Sequence, residues 1–322
     1  MSVDIPALTG RILEQVEKIV VGKEEQTRLM ITAILSQGHI LLDDLPGVGK
    51  TTLVKTLSIA LGCQFKRVQF TPDLLPSDVV GMNIYDQNSN AFRRMDGPVM
   101  TNLLLADEIN RAIPRTQSAL LEAMEERQVT IDGETTPLPA PFVVMATLNP
   151  VEFESTFRLP AAQMDRFFLR LSLGYPQREE EARMLRGVGD EIPFDQVEAV
   201  TSAEELVTVQ EQIRAVTVSD SVLDYLVSLV SATRDHPLIR MGAGPRGSRA
   251  LFRGSKTLAA MAGRDFITPD DVQQLAVPVL AHRLVLSNEA RLAGEDAESL
   301  LTKLLQTVPV PPSRREMLDG RD

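Results

Sequence analysis

Residues 40–61 combine a short apolar run, a glycine turn and a helical pattern, and this order constrains the fold more than any other stretch of the chain. The run "ILL" before the turn is typical of a buried strand, and "TTLVKTLSIALG" after it carries apolar residues at helical spacing. Gly47 and Gly49 permit the positive φ angles with which successive backbone N–H groups converge on an anion. The stretch therefore predicts an α/β unit that binds an anion at a helix N-terminus.

The residues within this turn point to a nucleotide phosphate as the anion. Lys50 would supply positive charge to the β- and γ-phosphates, and the hydroxyl of Thr51 would bind Mg²⁺. A phosphate loop of the form Gly-x-x-x-x-Gly-Lys-Ser/Thr has a glycine where this chain has Asp44, so the match is to the shorter core at residues 46–51. An ordinary glycine turn between a strand and a helix is the alternative.

Short apolar runs alternate with helical patterns between residue 1 and about residue 174. The runs are "HILLD", "FKRVQF", "NLLLADE", "PFVVMAT" and "FFLRLSLG". This alternation predicts an α/β domain with a largely parallel sheet. Uninterrupted apolar residues at 103–105 and 142–145 predict central strands, whereas the alternation of Leu169, Leu171 and Leu173 with other residues predicts an edge strand.

After the turn at residues 174–176 the chain shows only helical patterns. Ser202 with Glu205 has the spacing of a capping box, Pro245 stands where a first helical turn would begin, and residues 268–271 begin another helix. We therefore predict two domains. An α/β domain over residues 1–174 precedes an all-helical domain over residues 175–322.

Asp107 and Glu108 follow the apolar run "LLLA" directly. A strand would thus deliver two adjacent carboxylates to the carboxyl edge of the sheet, where ligands bind in open α/β folds. One carboxylate would hold Mg²⁺, and the other would orient or deprotonate the water that attacks the γ-phosphate. An ordinary solvated strand end is the alternative.

Three further polar residues are candidates for the same chemistry. Asn149 closes the apolar run "VVMATL", in place to hydrogen-bond the attacking water or the γ-phosphate, although Asn-Pro is also a common start of a turn. Arg166 precedes the last apolar run of the first domain, and Arg246 begins a helix of the second. Arginine stabilises charge on a transferring phosphoryl group, and a simple surface charge is the alternative for each.

Three longer segments carry a family resemblance. The runs "ADEINRAIPRTQSALLEAMEERQVTIDGE", "ATLNPVEFESTFRLPAAQMDRFFLRLSLGYP" and "GPRGSRALFRGSKTLAA" closely resemble the MoxR group of AAA+ ATPases, and the resemblance extends over about residues 20–286. It implies an α/β AAA+ P-loop core with a parallel five-stranded sheet, followed by a C-terminal all-helical lid domain.

The resemblance also implies roles for individual residues. Asp107 and Glu108 correspond to Walker B, Asn149 to sensor 1, Arg166 to an arginine finger that reaches a neighbouring subunit's nucleotide, and Arg246 to sensor 2. Two groups of residues would bind the nucleotide. The stretch that packs on adenine contributes Val20, Val21 and Gly22, and the Walker A turn contributes Pro46, Gly47, Val48, Gly49, Lys50, Thr51 and Thr52. Thr51 and Asp107 would hold Mg²⁺. The chain departs from the family pattern at two positions. Asp44 replaces the first glycine of the phosphate loop, and Leu148 stands where relatives often carry glutamine.

Two stretches match the insertions of MoxR-like proteins. Residues 81–99 lie where the family places its helix-2 insert, and residues 128–138 alternate around Asp132 and Gly133 as a hairpin before sensor 1. Both are predicted to be partner-facing loops, with ordinary surface hairpins as the alternative.

Charge and cysteine content restrict the classes of partner. The net charge of -11 and the sequence pI near 4.9 argue against a broad nucleic-acid surface, because DNA phosphates would be repelled. The single Cys63 cannot form an intrachain disulfide, and no leader or long apolar run is present, so the sequence predicts no membrane segment and a cytoplasmic setting. Three scattered histidines predict no bound transition metal.

Three classes of function follow. The leading prediction is a Mg²⁺-dependent ATPase that forms a homo-oligomeric, hexameric ring and remodels a client protein. The resemblance implies chaperone-like work, with a von Willebrand factor A domain protein as partner, in metal insertion or in maturation of an enzyme complex. A DNA-associated AAA+ motor is the second class, and Arg93-Arg94 is the basic pair that it would use. A nucleotide-dependent scaffold without turnover is the third, disfavoured because Glu108 and Asn149 are both present.

Overall fold

The computed structural model describes residues 3–45, 47–88, 90–148, 157, 159–187 and 192–311. The chain divides into two compact units, Met1–Glu211 and Gln212–Asp322. This boundary lies later than residue 174, because the chain returns to the first unit after that point. The N–H of Val200 donates to the carbonyl of Ala60 at 2.9 Å, and Gln210 Nε2 donates to the carbonyl of Ile34 at 2.9 Å.

The described residues form helices and strands with the following bounds. The strands are β1 (Ile40–Asp43), β2 (Phe65–Gln69), β3 (Gly81–Asp86), β4 (Ala91–Asp96), β5 (Leu103–Asp107), β6 (Gln128–Ile131), β7 (Glu134–Pro137), β8 (Val143–Leu148), β9 (Leu169–Leu171), β10 (Ile239–Met241) and β11 (Val285–Leu286). The helices are α1 (Ile5–Glu17), α2 (Glu24–Leu35), α3 (Lys50–Ala60), α4 (Pro76–Val80), α5 (Pro114–Glu126), α6 (Ala161–Met164), α7 (Arg178–Gly187), α8 (Ala203–Arg214), α9 (Asp220–Asp235), α10 (Pro245–Met261), α11 (Pro269–Leu280), α12 (Asn288–Leu292) and α13 (Ala297–Thr307). None of these helices is long and apolar enough to cross a membrane.

The first unit is built on a five-stranded parallel sheet in the order β2–β5–β8–β1–β9. The predicted parallel α/β fold is therefore confirmed, with β5 and β8 inside the sheet and β9 at an edge. Leu41, Leu104 and Val144 on the central strands are fully buried in one core with Phe142 and Phe167. Because β1, β5 and β8 are adjacent and parallel, their carboxyl ends meet at one edge of the sheet.

The second unit is mainly helical, as predicted. Pro245 opens α10, and Thr268 and Asp271 form a reciprocal capping box at the start of α11. The unit also contains a short antiparallel ribbon in which β10 pairs with β11, which the helical patterns did not predict. Ile239, on β10, is buried, so the ribbon contributes to the packing of this unit.

Two β-hairpins lie at the positions of the two predicted insertions. β3 pairs with β4, and β6 pairs with β7 around Asp132 (φ 50°) and Gly133 (φ 86°), which is the backbone of the expected two-residue turn. The hairpins contact each other, because Asn83 Nδ2 donates to Asp132 Oδ2 at 2.9 Å and the guanidinium of Arg94 donates to the hydroxyl of Thr136. They therefore form one connected feature of the first unit.

Cys63 lies in the turn between α3 and β2 and is half-buried. Burial, together with the negative charge of Glu204, raises the pKa of the Cys63 thiol to about 12. The thiol therefore stays protonated at neutral pH, as expected for a packing residue.

Candidate nucleotide-binding site

The glycine turn leads from β1 directly into α3. Gly47 has φ 84° and Gly49 has φ 87°, and a Cβ at either position would meet no atom within 4 Å. The left-handed backbone, and not a lack of space, therefore requires glycine here. Gly49 precedes Lys50, the first residue of α3, so the N-terminus of this helix opens at the turn. Pro46 lies outside the described residues.

A cavity of about 590 Å³ opens at this edge of the sheet. Its lining combines residues of the turn and of α3 with residues at or near the ends of β1, β2, β5 and β8: Asp44, Gly47, Gly49, Lys50, Thr51, Thr52, Arg67, Gln69, Asp107, Glu108, Arg111 and Leu148. The sequence-predicted phosphate turn and carboxylate pair thus line the same cavity. The lining also brings one lysine and two arginines together with three carboxylates.

Lys50 is held by the start of its own turn. Its Nζ donates to the carbonyl oxygens of Asp44 at 2.8 Å and Leu45 at 3.2 Å. Thr51 and Thr52 follow in the first turn of α3 and are half-buried. Val48 is also half-buried but does not line the cavity formed by the described residues.

Asp107, the last residue of β5, uses both carboxylate oxygens. Oδ1 accepts a hydrogen bond of 2.6 Å from the hydroxyl of Thr147, and Oδ2 accepts one of 2.6 Å from Arg67 Nη2. Thr147 is fully buried on β8, whereas the Arg67 side chain is 48% exposed on the edge strand β2. The carboxylate is thus fixed on one side by the core and on the other by a surface cation.

Glu108 follows in a left-handed conformation with φ 55° and ψ 50°. Its N–H donates to the hydroxyl of Thr147 at 2.7 Å, which anchors this strained backbone. Its Oε2 accepts hydrogen bonds from Gln69 Nε2 at 2.6 Å and from Arg111 Nη1 at 3.0 Å. The side chain therefore lies in a polar cluster at the cavity and not in bulk solvent.

Four residues of this network were not predicted from the sequence: Arg67, Gln69, Arg111 and Thr147. Arg67 and Gln69 alternate on β2 with Val68, and period-2 spacing at the end of a strand beside β5 is the signal that could have found them. No sequence pattern indicated a role for Thr147 in the site, because a threonine within an apolar run is typical of a residue that packs in the core.

Asp44 replaces the first glycine of the phosphate-loop pattern and has a structural task. Asp44 is buried, with 5% of the residue exposed, and its carboxylate accepts three hydrogen bonds from the segment after β9. Oδ1 accepts from Ser172 Oγ at 2.7 Å and Gly174 N at 3.0 Å, and Oδ2 accepts from Leu173 N at 2.7 Å. The substitution therefore ties the start of the turn to the end of the sheet.

We expect Asp44→Ala to lower the free energy of unfolding by about 3 kcal/mol, because the buried N–H of Leu173 and the half-buried N–H of Gly174 would lose a charged acceptor. Urea denaturation measures this change. Asp43→Ala is the matched control, since Asp43 forms only a partly exposed ion pair with Arg170 at 2.7 Å, whose loss should cost about 1 kcal/mol or less. Equal destabilisation by the two variants would contradict the anchoring role of Asp44.

Other predicted site residues lie elsewhere. Arg166 follows α6, and its Nε lies 3.0 Å from Glu125 Oε2. It lines a second cavity of about 530 Å³ with Ser118, Glu122, Glu126, Gln128 and Gln163, separate from the cavity at the glycine turn. Arg246 is exposed in the first turn of α10, in the second unit. Asn149 lies outside the described residues.

Val20 and Val21 are half-buried between α1 and α2. Gly22 has φ 73°, and this left-handed backbone favours glycine at the position; a Cβ there would also meet the carboxylate of Glu180 on α7, which is the movable end of a flexible side chain. These three residues do not line the 590 Å³ cavity as the described residues define it. Adenine packing by this stretch stays a prediction.

The donor set of the cavity fits Mg²⁺. Among the described residues, no group of three or more histidine, cysteine or acidic side chains is arranged to hold a metal ion. Thr51 and Asp107 instead offer a few hard oxygen donors beside a turn built for phosphate, and Mg²⁺ is usually held by one or two protein oxygens, water and phosphate. The residues present are thus suited to a metal that arrives with a nucleotide.

The strand order, the glycine turn after β1 and the two carboxylates at the end of β5 define an AAA-type P-loop protein. Comparison with protein families agrees with this class. The model of the "ATPase family associated with various cellular activities (AAA)" matches residues 39–169, and the AAA lid domain model matches residues 231–304.

Relatives define the family more narrowly. The chain is 45% identical over 311 residues to "Uncharacterized protein YeaC" of Bacillus subtilis (strain 168), with 97% of each chain covered. It is 42% identical over 310 residues to "Chaperone MoxR1" of Mycobacterium tuberculosis (strain ATCC 25618 / H37Rv), covering 94% of this chain and 82% of the relative. A crystal structure of a protein from Cytophaga hutchinsonii ATCC 33406, assigned as an ATPase, is 37% identical, covers 96% of both chains and superposes with a TM-score of 0.90. The chain belongs to the MoxR family of AAA+ ATPases.

Proposed function

We propose that the chain hydrolyses ATP in the 590 Å³ cavity with Mg²⁺. The observation that carries this proposal is that the glycine turn with Lys50 and the pair Asp107 and Glu108 line one cavity at the carboxyl edge of the sheet. Backbone N–H groups of the turn and Lys50 would bind the phosphates, and Thr51 and Asp107 would hold Mg²⁺. When bound, Mg²⁺ neutralises negative charge on the phosphate oxygens.

Glu108 is the proposed general base. Its carboxylate would take a proton from water as the water oxygen bonds to the γ-phosphorus, and the bond from that phosphorus to the bridging oxygen of ADP would break. Gln69 and Arg111 hold the carboxylate at 2.6 Å and 3.0 Å, which supports a fixed orientation towards the cavity. Asn149 is proposed to orient the same water.

Two arginines are proposed to complete the site from outside the first cavity. Arg166 lines a different cavity of its own subunit, so its proposed role is to stabilise γ-phosphate charge in the site of a neighbouring subunit. Arg246, in the second unit, is proposed to act as sensor 2. A shared site of this kind supports a homo-oligomeric ring, which we propose to be hexameric.

The proposed work of the ring is remodelling of a client protein in the cytoplasm, with a von Willebrand factor A domain protein as partner and metal insertion or maturation of an enzyme complex as outcomes. The relative named Chaperone MoxR1 supports chaperone-like work. The two hairpins are proposed to face the client.

A DNA motor would use the basic pair Arg93 and Arg94. Arg94 is already paired with Asp96 at 2.6 Å, which supports a protein client over DNA.

Phosphate release by the full chain, with and without DNA, tests the proposal against its alternatives. We expect Mg²⁺-dependent hydrolysis of ATP at a rate that DNA leaves unchanged. Stimulation by DNA would favour the motor, and nucleotide binding without phosphate release would favour the scaffold.

A further inference from the structure

The two oxygens of Asp107 are held by groups of different character. Oδ1 bonds to Thr147, a fully buried neutral hydroxyl that cannot move without disturbing the core. Oδ2 receives two N–H groups of Arg67, Nη2 at 2.6 Å and Nε at 3.2 Å. The Arg67 side chain is about half exposed on an edge strand, so it has room to turn away.

Arg67 is also linked to the second carboxylate of the cavity. Its Nη2 donates to Gln69 Oε1 at 3.2 Å, and Gln69 Nε2 donates to Glu108 Oε2 at 2.6 Å. Arg111 pairs with Glu108 at 3.0 Å. Arg67 is therefore the cation that pairs with Asp107, while a different arginine, Arg111, pairs with Glu108.

The guanidinium of Arg67 and a magnesium ion would both bind to the negatively charged carboxylate of Asp107. Asp107 is the carboxylate that we assign to Mg²⁺, and a charge-assisted hydrogen bond of 2.6 Å to Oδ2 neutralises much of that charge. A cation that enters beside Asp107 must share this oxygen with Arg67 or displace it. Thr147 offers no such competition, because it is neutral and binds the other oxygen.

We propose that Arg67 is a displaceable counter-ion of Asp107 that competes with Mg²⁺ and so sets how strongly Mg²⁺ tightens nucleotide binding. Arg67 acts through Asp107 and is a positioning residue. The inference rests on the proposed function, because it assumes that nucleotide and Mg²⁺ bind in this cavity. It adds a determinant of metal affinity from β2, a strand that contributes neither the phosphate turn nor the carboxylate pair.

The test uses a fluorescent, non-hydrolysable ATP analogue and measures its dissociation constant twice, once in EDTA and once in excess Mg²⁺. The quantity compared between variants is the ratio of the dissociation constant in EDTA to that in Mg²⁺, which is larger when Mg²⁺ tightens binding more. Because Arg67→Gln removes the competing charge, we expect it to raise this ratio about fivefold, the effect of one partly exposed ion pair. Arg67→Lys keeps the charge and should stay near the parent ratio. Arg28→Gln is the control, since Arg28 forms an ion pair with Glu24 on α2 outside the cavity lining.

A second pair of variants separates competition at Asp107 from direct attraction between Arg67 and phosphate. In an Asp107→Asn background, Arg67→Gln should no longer change the ratio, because the contested charge is gone. An unchanged or lowered ratio in Arg67→Gln, or an increase that persists in the Asp107→Asn background, would overturn the inference.

Failure of the proposed function gives a different result. Lys50→Ala would then bind the analogue as tightly as the parent in EDTA, whatever the behaviour of Arg67. Loss of binding in Lys50→Ala together with an unchanged ratio in Arg67→Gln would reject the inference alone. Thermal unfolding of each variant confirms that the differences do not come from loss of fold.

Discussion

Arg166→Ala is expected to bind ATP with the parent affinity and to hydrolyse it about a thousandfold more slowly. An arginine that stabilises charge on the transferred phosphoryl group contributes about this factor or more, while it adds little to binding of the ground state. Arg166 lines a cavity distinct from the one at Lys50, so its loss leaves the nucleotide cavity of its own chain intact. Phosphate release and equilibrium binding of a fluorescent nucleotide measure the two effects separately.

The shared site also predicts rescue on mixing. Arg166→Ala subunits retain Lys50, and Lys50→Ala subunits retain Arg166, so a mixture of the two in the proposed ring would contain interfaces with both groups. We expect such mixtures to recover part of the hydrolysis that each variant lacks alone, after sizing in the presence of ATP shows that they assemble together. Arg28→Ala, which breaks an ion pair on α2, is the matched control and should retain parent activity.

Two outcomes would contradict the shared site. One is parent-like hydrolysis by Arg166→Ala alone, and the other is mixed assembly without recovered hydrolysis. The second outcome would indicate an arginine that acts within its own subunit, or one whose pairing with Glu125 is its main task.

Glu108→Gln is expected to keep ATP binding and to reduce hydrolysis by about a hundredfold to ten thousandfold. The amide preserves the size of the side chain, and its oxygen can still accept hydrogen bonds from Gln69 and Arg111. It cannot take a proton from water, which is the step assigned to this residue. Single-turnover phosphate release with bound ATP measures the loss directly.

Glu24→Gln, an exposed carboxylate on α2, is the control for this change and should hydrolyse ATP at the parent rate. Hydrolysis by Glu108→Gln at the parent rate would show that the carboxylate has a different task, such as holding Arg111. Loss of both binding and hydrolysis would instead assign Glu108 to nucleotide affinity.

The parts of the fold that depend on residues close together in the sequence could be predicted. The uninterrupted apolar runs at 103–105 and 142–145 indicated interior strands, and the glycines beside Lys50 indicated a turn with positive φ. Each of these signals depends on neighbours within a few residues along the chain. Because the sheet is parallel, the turn after β1 and the carboxylates at the end of β5 lie at the same edge, and this placement needed no knowledge of long-range contacts.

Contacts between distant segments could not be predicted. The hydroxyl of Thr147 bonds to Asp107, the last residue of β5, and to Glu108, the residue after it, and nothing near Thr147 in the chain distinguishes it from a packing residue. Asp44 was a departure from a motif until the structure paired it with the segment after β9. The pairing of Arg67 with Asp107 could be predicted only with the knowledge that β2 lies beside β5. Such pairings are set by the tertiary fold, so a one-dimensional pattern does not contain them.

Binding of ATP by Lys50→Ala, compared with the parent chain by isothermal titration calorimetry in Mg²⁺, tests most directly that the cavity at the glycine turn is the nucleotide site. Lys50 is half-buried at the surface of the first unit and contributes charge to the cavity and little to the core, so the variant should fold as the parent does. We predict that the parent binds ATP and that Lys50→Ala binds it about a hundredfold more weakly, because charge-assisted hydrogen bonds to phosphate are lost. An unchanged affinity in a folded Lys50→Ala variant would contradict the account.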